Sequence, residues 1–488
     1  MKYTSPEKCG ISTASIKKYV NHLNRSGLST HSVIITRGDN IIFEKYWKPF
    51  ERDFLHRMYS VTKSFVAIAI GFLKDEGRVS LDDPISKYFP DECARITDEN
   101  IKNQSVKDML QMRSAYPKNA PNWFSTSPDD RVLDYFTNNN GSLYPSGSMF
   151  RYDSTGSFVI GALVERVTGM KLMDYLYEKF LKKLGVEGAY MLECPGGHSW
   201  SDSALLMRPI DLMKVGRFLL LGGKWEGEQL LSEDFVKEAT SNLVSTGDYG
   251  FANDSAHGYG YLIWRQRENS FFFNGMGCQL CVMCPEKDMI LVYNGDNQGN
   301  PLAKSKIIDG FFDMIYSDAA DAELEEYEGE PIAEDDLFYL KGAYTSPLID
   351  KINGKKYVFG GENNFLGISE STLSFDGDEG KFEYVKNSES KVINFGLGKN
   401  VFEKFCEEGY SDKVGSKRCP GNKYDSAASA AVVSPVELLI RVQIIDKYFG
   451  NMSALFTFNG DKVSLEMRKS AEDFLYGYNG IAHGKLEQ

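Results

Sequence analysis

Ser60 and Lys63, within Tyr59-Ser60-Val61-Thr62-Lys63, are spaced so that one can activate the other. Residues three apart share a helix face, so an amine at 63 reaches a hydroxyl at 60. A serine hydroxyl is a weak nucleophile until a neighbouring base takes its proton, and a lysine amine can be that base. The run from Phe65 to Leu73 that follows is almost wholly apolar. It reads as a buried helix whose first turn carries the pair. The positive end of such a helix lies beside any oxyanion formed at the serine. The tetrapeptide has a second reading, an N-cap serine next to a lysine that snorkels to solvent. The same spacing recurs at Ser5–Lys8, Ser15–Lys18 and Ser388–Lys391, there in polar surroundings.

Other chemistry is weaker. The chain has no phosphate-binding Gly-x-x-x-x-Gly-Lys-[Ser/Thr], no Gly-x-Ser-x-Gly elbow and no His-Glu-x-x-His. Cys278, Cys281 and Cys284 are spaced like metal ligands but fall in a β pattern. Residues three apart on a strand face opposite sides, so these cysteines read as small core residues rather than a metal site.

The elements that must hold the pair can be placed coarsely. Ser32–Thr36 and Ile41–Tyr46 flank a turn at residues 37–40 and form a hairpin ahead of the apolar helix. Helical patterns follow at about 61–76, 104–112, 157–168, 171–183 and 208–221, several closed by glycine. Strand patterns return at 259–265, 270–273, 279–284 and 288–293. Strands at both ends with helices between them predict a mixed sheet assembled from both ends around a helical insertion. Residues 318–336 carry ten acids and no Lys or Arg, which reads as a solvated linker between two domains. Beyond it, Val436–Ile445, Ala454–Phe458 and Lys462–Met467, with a hairpin signal at Asn459-Gly460, predict an antiparallel β domain. Residues 408–435, rich in Gly, Ser, Lys and Ala, read as a long loop within it. The expected division is 1–317, 318–336 and 337–488.

Composition narrows the class. The chain has 488 residues with 42% hydrophobic and 25% charged, enough to bury a large core without disulfides. A formal charge of -13, of which the acidic segment supplies -10, argues against nucleic acid as a principal partner. No run approaches a membrane span, and the first residues carry no apolar stretch of the secretory kind. Eight scattered cysteines then read as reduced thiols, and the cytoplasm as the expected location.

Context sharpens the reading of Ser60. Tyr59-Ser60-Val61-Thr62-Lys63-Ser64-Phe65 is followed by Gly77-Arg78-Val79-Ser80-Leu81-Asp82-Asp83-Pro84 and by Ser105-Val106-Lys107-Asp108-Met109-Leu110. Next come Phe150-Arg151-Tyr152-Asp153-Ser154-Thr155-Gly156 and Gly258-Tyr259-Gly260-Tyr261. In this order the motifs resemble the penicillin-recognising serine hydrolases: class C β-lactamases, related esterases, D-aminopeptidases and aminohexanoate-oligomer hydrolases. The resemblance covers about residues 5–315. It implies an α/β (α+β) fold of the β-lactamase type, a largely antiparallel mixed sheet flanked by helices with a helical subdomain, ahead of the C-terminal antiparallel β domain.

Position by position, the resemblance implies Ser60 as nucleophile, Lys63 as the lysine of the first motif, and Tyr152 and Ser154 as the ends of the second. Tyr152 would be a second proton carrier and Ser154 a hydrogen-bonding group. The third motif, usually Lys or His followed by a variable residue and Gly, falls on Phe273-Asn274-Gly275 within Phe272-Phe273-Asn274-Gly275-Met276-Gly277-Cys278-Gln279. The cation is missing, which speaks against efficient turnover of β-lactams or D-Ala-D-Ala peptides. Asn274 remains as a hydrogen-bonding group, and the N–H groups of Met276, after Gly275, and of Ser60 are the candidate oxyanion hole. Tyr249, Phe251, Tyr259, Tyr261, Trp264 and Trp123 are core or cleft aromatics. The expected activity is hydrolysis of a small ester or amide without metal or organic cofactor. The alternatives are a non-catalytic ligand-binding or sensor protein on the same fold, and a β-lactamase or D,D-peptidase.

Overall fold

The computed structural model describes residues 1–487 except 116–128, 138–140, 248–255, 333–338, 362–363 and 414. Trp123, Tyr249, Phe251 and the end of the acidic segment therefore lie outside the described residues.

Among those described, a seven-stranded sheet is built from both ends of the first three hundred residues. Its strands are β1 (Lys2–Tyr3), β2 (Thr30–Arg37), β3 (Asn40–Tyr46), β4 (Trp264–Arg265), β5 (Phe271–Gly275), β6 (Gln279–Cys284) and β7 (Met289–Gly295). They run in the order β1-β3-β2-β7-β6-β5-β4. Only the β1–β3 pair is parallel. The central strands β6 and β7 are buried along their whole length and lack the polar alternation of a half-exposed sheet. Helices on both faces account for this.

The long helices are α1 (Thr13–Arg25), α2 (Thr62–Asp75), α3 (Ser154–Thr168), α4 (Pro209–Leu220) and α5 (Ala303–Phe311); α2, α4 and α5 pack on the sheet, and α3 packs on α2. Successive side chains on β5 show how they divide. Phe273 packs on Phe65 of α2, while Phe272 lies beneath the Lys304 amine of α5, so α2 and α5 cover opposite faces. On α4, the bare Cα of Gly216 lets the helix approach Cys281 of β6; a Cβ there would stand 2.7 Å from its Sγ. Helix α2 is buried from Thr62 to Leu73, as its apolar sequence requires. The 259–265 strand pattern is realised only at its end. Tyr259 makes isolated bridges and Leu262 turns through φ 52°, leaving Trp264–Arg265 as the paired strand.

A second core gathers residues from Leu348 to Ala482. Around it run β8 (Lys355–Phe359), β9 (Ile368–Asp376), β10 (Glu379–Lys386), β11 (Glu389–Leu397), β12 (Val401–Lys404), β13 (Asp425–Ser434), β14 (Glu437–Ile445), β15 (Phe449–Asn459), β16 (Lys462–Ala471) and β17 (Gly480–Leu486). Parallel pairing of β11 with β13 closes the sheet into a barrel, which leaves no open edge there. The expected loop at 408–435 is corrected here: its second half is β13, a buried strand of the barrel wall. Ala427, Ala428, Ala430 and Ala431 have low β propensity but are buried against neighbouring strands, so packing overrides the local preference.

The acidic segment is not a free tether over its described part. Ala320 N–H donates to the Gly10 carbonyl at 2.8 Å, and Leu324 N–H to that of Glu7 at 3.0 Å. The Ser15 hydroxyl donates to Asp318 at 2.6 Å, so residues 318–324 lie along the N-terminal segment. Among the described residues no helix is long and apolar enough to cross a membrane.

Candidate active site

Ser60 occupies a tight turn, Tyr59–Val61, directly ahead of α2. The turn is fastened on both sides. The Met58 N–H donates to the Leu205 carbonyl at 2.7 Å, and the Val61 N–H to the Met58 carbonyl at 3.1 Å. The Thr62 hydroxyl donates to the Tyr59 carbonyl at 2.6 Å and accepts from the Leu205 N–H at 3.1 Å. Behind it, His56–Arg57 pairs with Leu206–Met207 as a short antiparallel ladder.

Lys63 is the second residue of α2 and is 1% exposed. Its Nζ donates to Ser60 Oγ at 3.0 Å and to the Asp202 carbonyl at 2.6 Å. The two bonds aim the amine at the serine rather than at solvent, which excludes the snorkelling alternative. Nζ also stands 5.2 Å from the centre of the Tyr152 ring. Tyr152 is thus brought to the Ser60–Lys63 pair from the other side of the site.

The chain around Tyr152 is held as firmly. The Arg151 N–H donates to the Met112 carbonyl at 2.8 Å. Asp153 caps α3 by accepting from the Gly156 N–H at 2.9 Å, and it also accepts from the Ser114 and Thr155 hydroxyls, both at 2.8 Å. Between these fixed points the Tyr152 ring stacks on Trp264, with centroids 5.8 Å apart and planes inclined by 23°. Ser154 is the first residue of α3 and is half-buried.

The third side is the end of β5. Gly275 permits a close approach, since a Cβ there would stand 2.3 Å from the Met58 carbonyl oxygen. This places Asn274, Gly275 and Met276 against the turn that carries Ser60. A tight turn with positive φ at Gly277 and Cys278 follows. Gln279 braces it: its Nε2 donates to the carbonyls of Met276 at 3.1 Å and Gly295 at 2.6 Å, while its Oε1 accepts from Asn294 at 2.9 Å. Asn274 and Met276 line a cleft of about 570 Å³ with Gln298 and Lys304. Another of about 710 Å³ is lined by Arg113, Phe150, Arg151 and Val244. Phe273, at the position where the resemblance leads one to expect a cation, is fully buried against Phe65.

Other candidates fall elsewhere. Cys281 and Cys284 are fully buried in β6, where burial pushes both thiols well up. Tyr259 and Tyr261 are core residues. Two contributors had no readable signal: the Asp202 carbonyl that aims Lys63, because every residue has a carbonyl, and Thr62, because its role depends on Leu205 far along the chain. Gln279 had one, its place at the end of the Gly275-Met276-Gly277-Cys278-Gln279 run that follows the third motif.

Comparisons with known proteins bear on the family and the fold. A 6-aminohexanoate-dimer hydrolase of Paenarthrobacter ureafaciens is 26% identical over 242 residues, 46% of this chain and 61% of that protein. A penicillin-binding protein homolog from Caulobacter crescentus superposes with a TM-score of 0.51 at 16% identity, over 62% of this chain and 96% of its own. SurE with D-Leu does so with a TM-score of 0.51 at 15% identity, over 86% and 94%. At these identities the two structures speak for the fold. The beta-lactamase family model matches residues 15–306, more than half of the chain and every element that carries the site, so the chain belongs to the beta-lactamase family.

Proposed function

We propose that this chain is a serine hydrolase that cleaves a small ester or amide through an acyl-enzyme on Ser60. The observation that carries the reading is the 3.0 Å bond between Ser60 Oγ and the buried Lys63 amine. In this mechanism the Ser60 proton passes to the Lys63–Tyr152 pair as Oγ bonds to the substrate carbonyl carbon. The carbonyl π electrons move to its oxygen, where the N–H groups of Ser60 and Met276 stabilise the charge. Collapse breaks the bond to the alcohol or amine, which leaves with the proton that Tyr152 returns. A water then attacks the acyl carbon, gives a proton to the same pair, and releases the acid with Ser60 restored. Ser154 and Asn274 supply hydrogen bonds to the substrate.

Residues 1–317 are the hydrolase unit in this reading, residues 318–336 a linker and residues 337–488 a β unit. The enzyme acts in the cytoplasm on a small molecule and uses no cofactor. The relative named for 6-aminohexanoate dimers favours an amide among the possible substrates. The buried Phe273 favours a substrate that needs no cation at the third motif. It also supports a second reading, a binding protein that acylates without turnover. Hydrolysis of a p-nitrophenyl acyl ester separates the two. The hydrolase reading expects multiple turnovers by the wild type and none by Ser60→Ala. A single burst without turnover supports the binding protein, and full activity of Ser60→Ala overturns both.

A further inference from the structure

Tyr59, the residue before the nucleophile, has φ 45°. A bulky L-residue is disfavoured in this left-handed region, so its surroundings must hold it there. The main chain on either side is fixed by Leu205 and Thr62, as described above. The side chain is held by a different part of the molecule.

The Tyr59 hydroxyl donates to Glu472 Oε1 at 2.6 Å, across 413 residues of sequence. Glu472 directly follows β16 in the C-terminal barrel and is buried. The same oxygen accepts from Gln298 Nε2 at 3.0 Å, which ties the carboxylate to the loop beside the Asn274–Met276 cleft. Burial, with the Glu472 charge adding to it, pushes the Tyr59 phenol well up, so it stays protonated and can serve as the donor. A phenol donating to a buried carboxylate is a strong, short bond.

The ring is clamped as well. The Phe449 ring lies edge-on to it, with centroids 6.5 Å apart, and the Arg57 guanidinium sits 5.4 Å from its centre. Arg57 is itself 4.2 Å from the ring of Tyr448. Tyr448 ends the turn between β14 and β15 and Phe449 begins β15, so this segment and the one carrying Glu472 converge on one side chain.

From this geometry we infer that Glu472 is a positioning residue for Ser60, acting through Tyr59, and that the barrel is part of the active-site scaffold. The inference rests on the reading of Ser60 as nucleophile. Rotation at Tyr59 swings the Ser60 Cα, and with it Oγ, away from Lys63 Nζ. The Glu472 bond opposes that rotation.

The test is the rate at which a fluorophosphonate labels Ser60 in the full chain, read by intact mass, together with the KM and kcat for an activated ester. The variants are Tyr59→Phe, Glu472→Ala, Glu472→Gln and the Tyr59→Phe/Glu472→Ala double. Tyr59→Phe keeps the ring and the packing, and it decides the matter if Glu472→Ala fails to fold. Labelling and kcat are expected to fall roughly tenfold to hundredfold in Tyr59→Phe and Glu472→Ala at little-changed KM. The double variant should be no slower than the slower single, because both remove one bond. Glu472→Gln, which keeps an acceptor, should recover most of the rate. Single variants that label at the wild-type rate overturn the inference even if their melting temperatures fall, since the contact is then packing alone. A wild type that takes no label at Ser60 overturns the nucleophile reading and this inference with it.

Discussion

Lys63 has two bonds, and they divide its work. The Asp202 carbonyl fixes where the amine is, and in the proposed mechanism Ser60 is what the amine acts on. Lys63→Met keeps the length and most of the bulk of the side chain but removes the proton carrier. Steady-state kinetics on an activated ester should show kcat lowered by about 10²–10⁴-fold, the usual range for a positioned proton carrier. The far-ultraviolet spectrum should be unchanged. This pair was legible because its two members are neighbours on one helix. Tyr152 is ninety residues away and was legible only through the motif around it. Asp202 and Glu472 were not legible at all: one acts through a carbonyl, and the other lies in a domain whose sequence carries no mark of the site.

Among the elements, the turn from Gly275 to Gln279 is the most exacting. Gln279 holds its shape by satisfying the carbonyls of Met276 and Gly295 and the amide of Asn294, and the proposed oxyanion role of the Met276 N–H depends on that shape. Gln279→Leu fits the space but leaves those buried groups short of partners. Urea unfolding should show a loss of about 1–3 kcal/mol. The activity of the folded variant should fall by more than its folded fraction explains. Helix α2, the β2–β3 hairpin and the strands β5 to β7 could be read from apolar runs and turn residues, because both faces of this sheet are covered and its strands are continuously hydrophobic. Strand β13 could not. Its alanines gain their place from the strands beside them, and nothing local to residues 425–434 distinguishes them from a loop.

At the scale of the molecule the two cores meet over a buried polar seam. Gln443 and Asn451 of the barrel donate to Asp296 at 3.1 and 3.0 Å. His31 stacks on Phe50 with centroids 3.6 Å apart, and both His56 and Phe449 pack against Phe50. Burial holds His31 and His56 below the ordinary imidazole value of 6.5, the Asp296 carboxylate only partly offsetting it for His31. Both imidazoles are then neutral in the folded protein and take up protons more readily when it unfolds. Their contribution to stability is complete above the ordinary imidazole value and is lost as the pH falls from there toward the lowered folded-state values, His56 being the more strongly lowered of the two. Melting temperature should therefore drop between pH 7 and pH 5, and the slope should be shallower in His56→Phe. An unchanged slope in that variant would show that His56 does not drive the transition. The seam also bears on how the chain can be divided. Cutting near residue 337 removes the groups that satisfy Asp296 and cover Phe50, so the first part alone is expected to be poorly soluble.

Hydrolysis by this chain requires that Lys63 activate Ser60. Intact-mass spectrometry after incubation with a fluorophosphonate, on the wild type, Ser60→Ala and Lys63→Met, tests this most directly. One adduct per chain on the wild type, none on Ser60→Ala and a much slower one on Lys63→Met is the predicted result. An adduct that persists in Ser60→Ala, or forms at the wild-type rate in Lys63→Met, would contradict it.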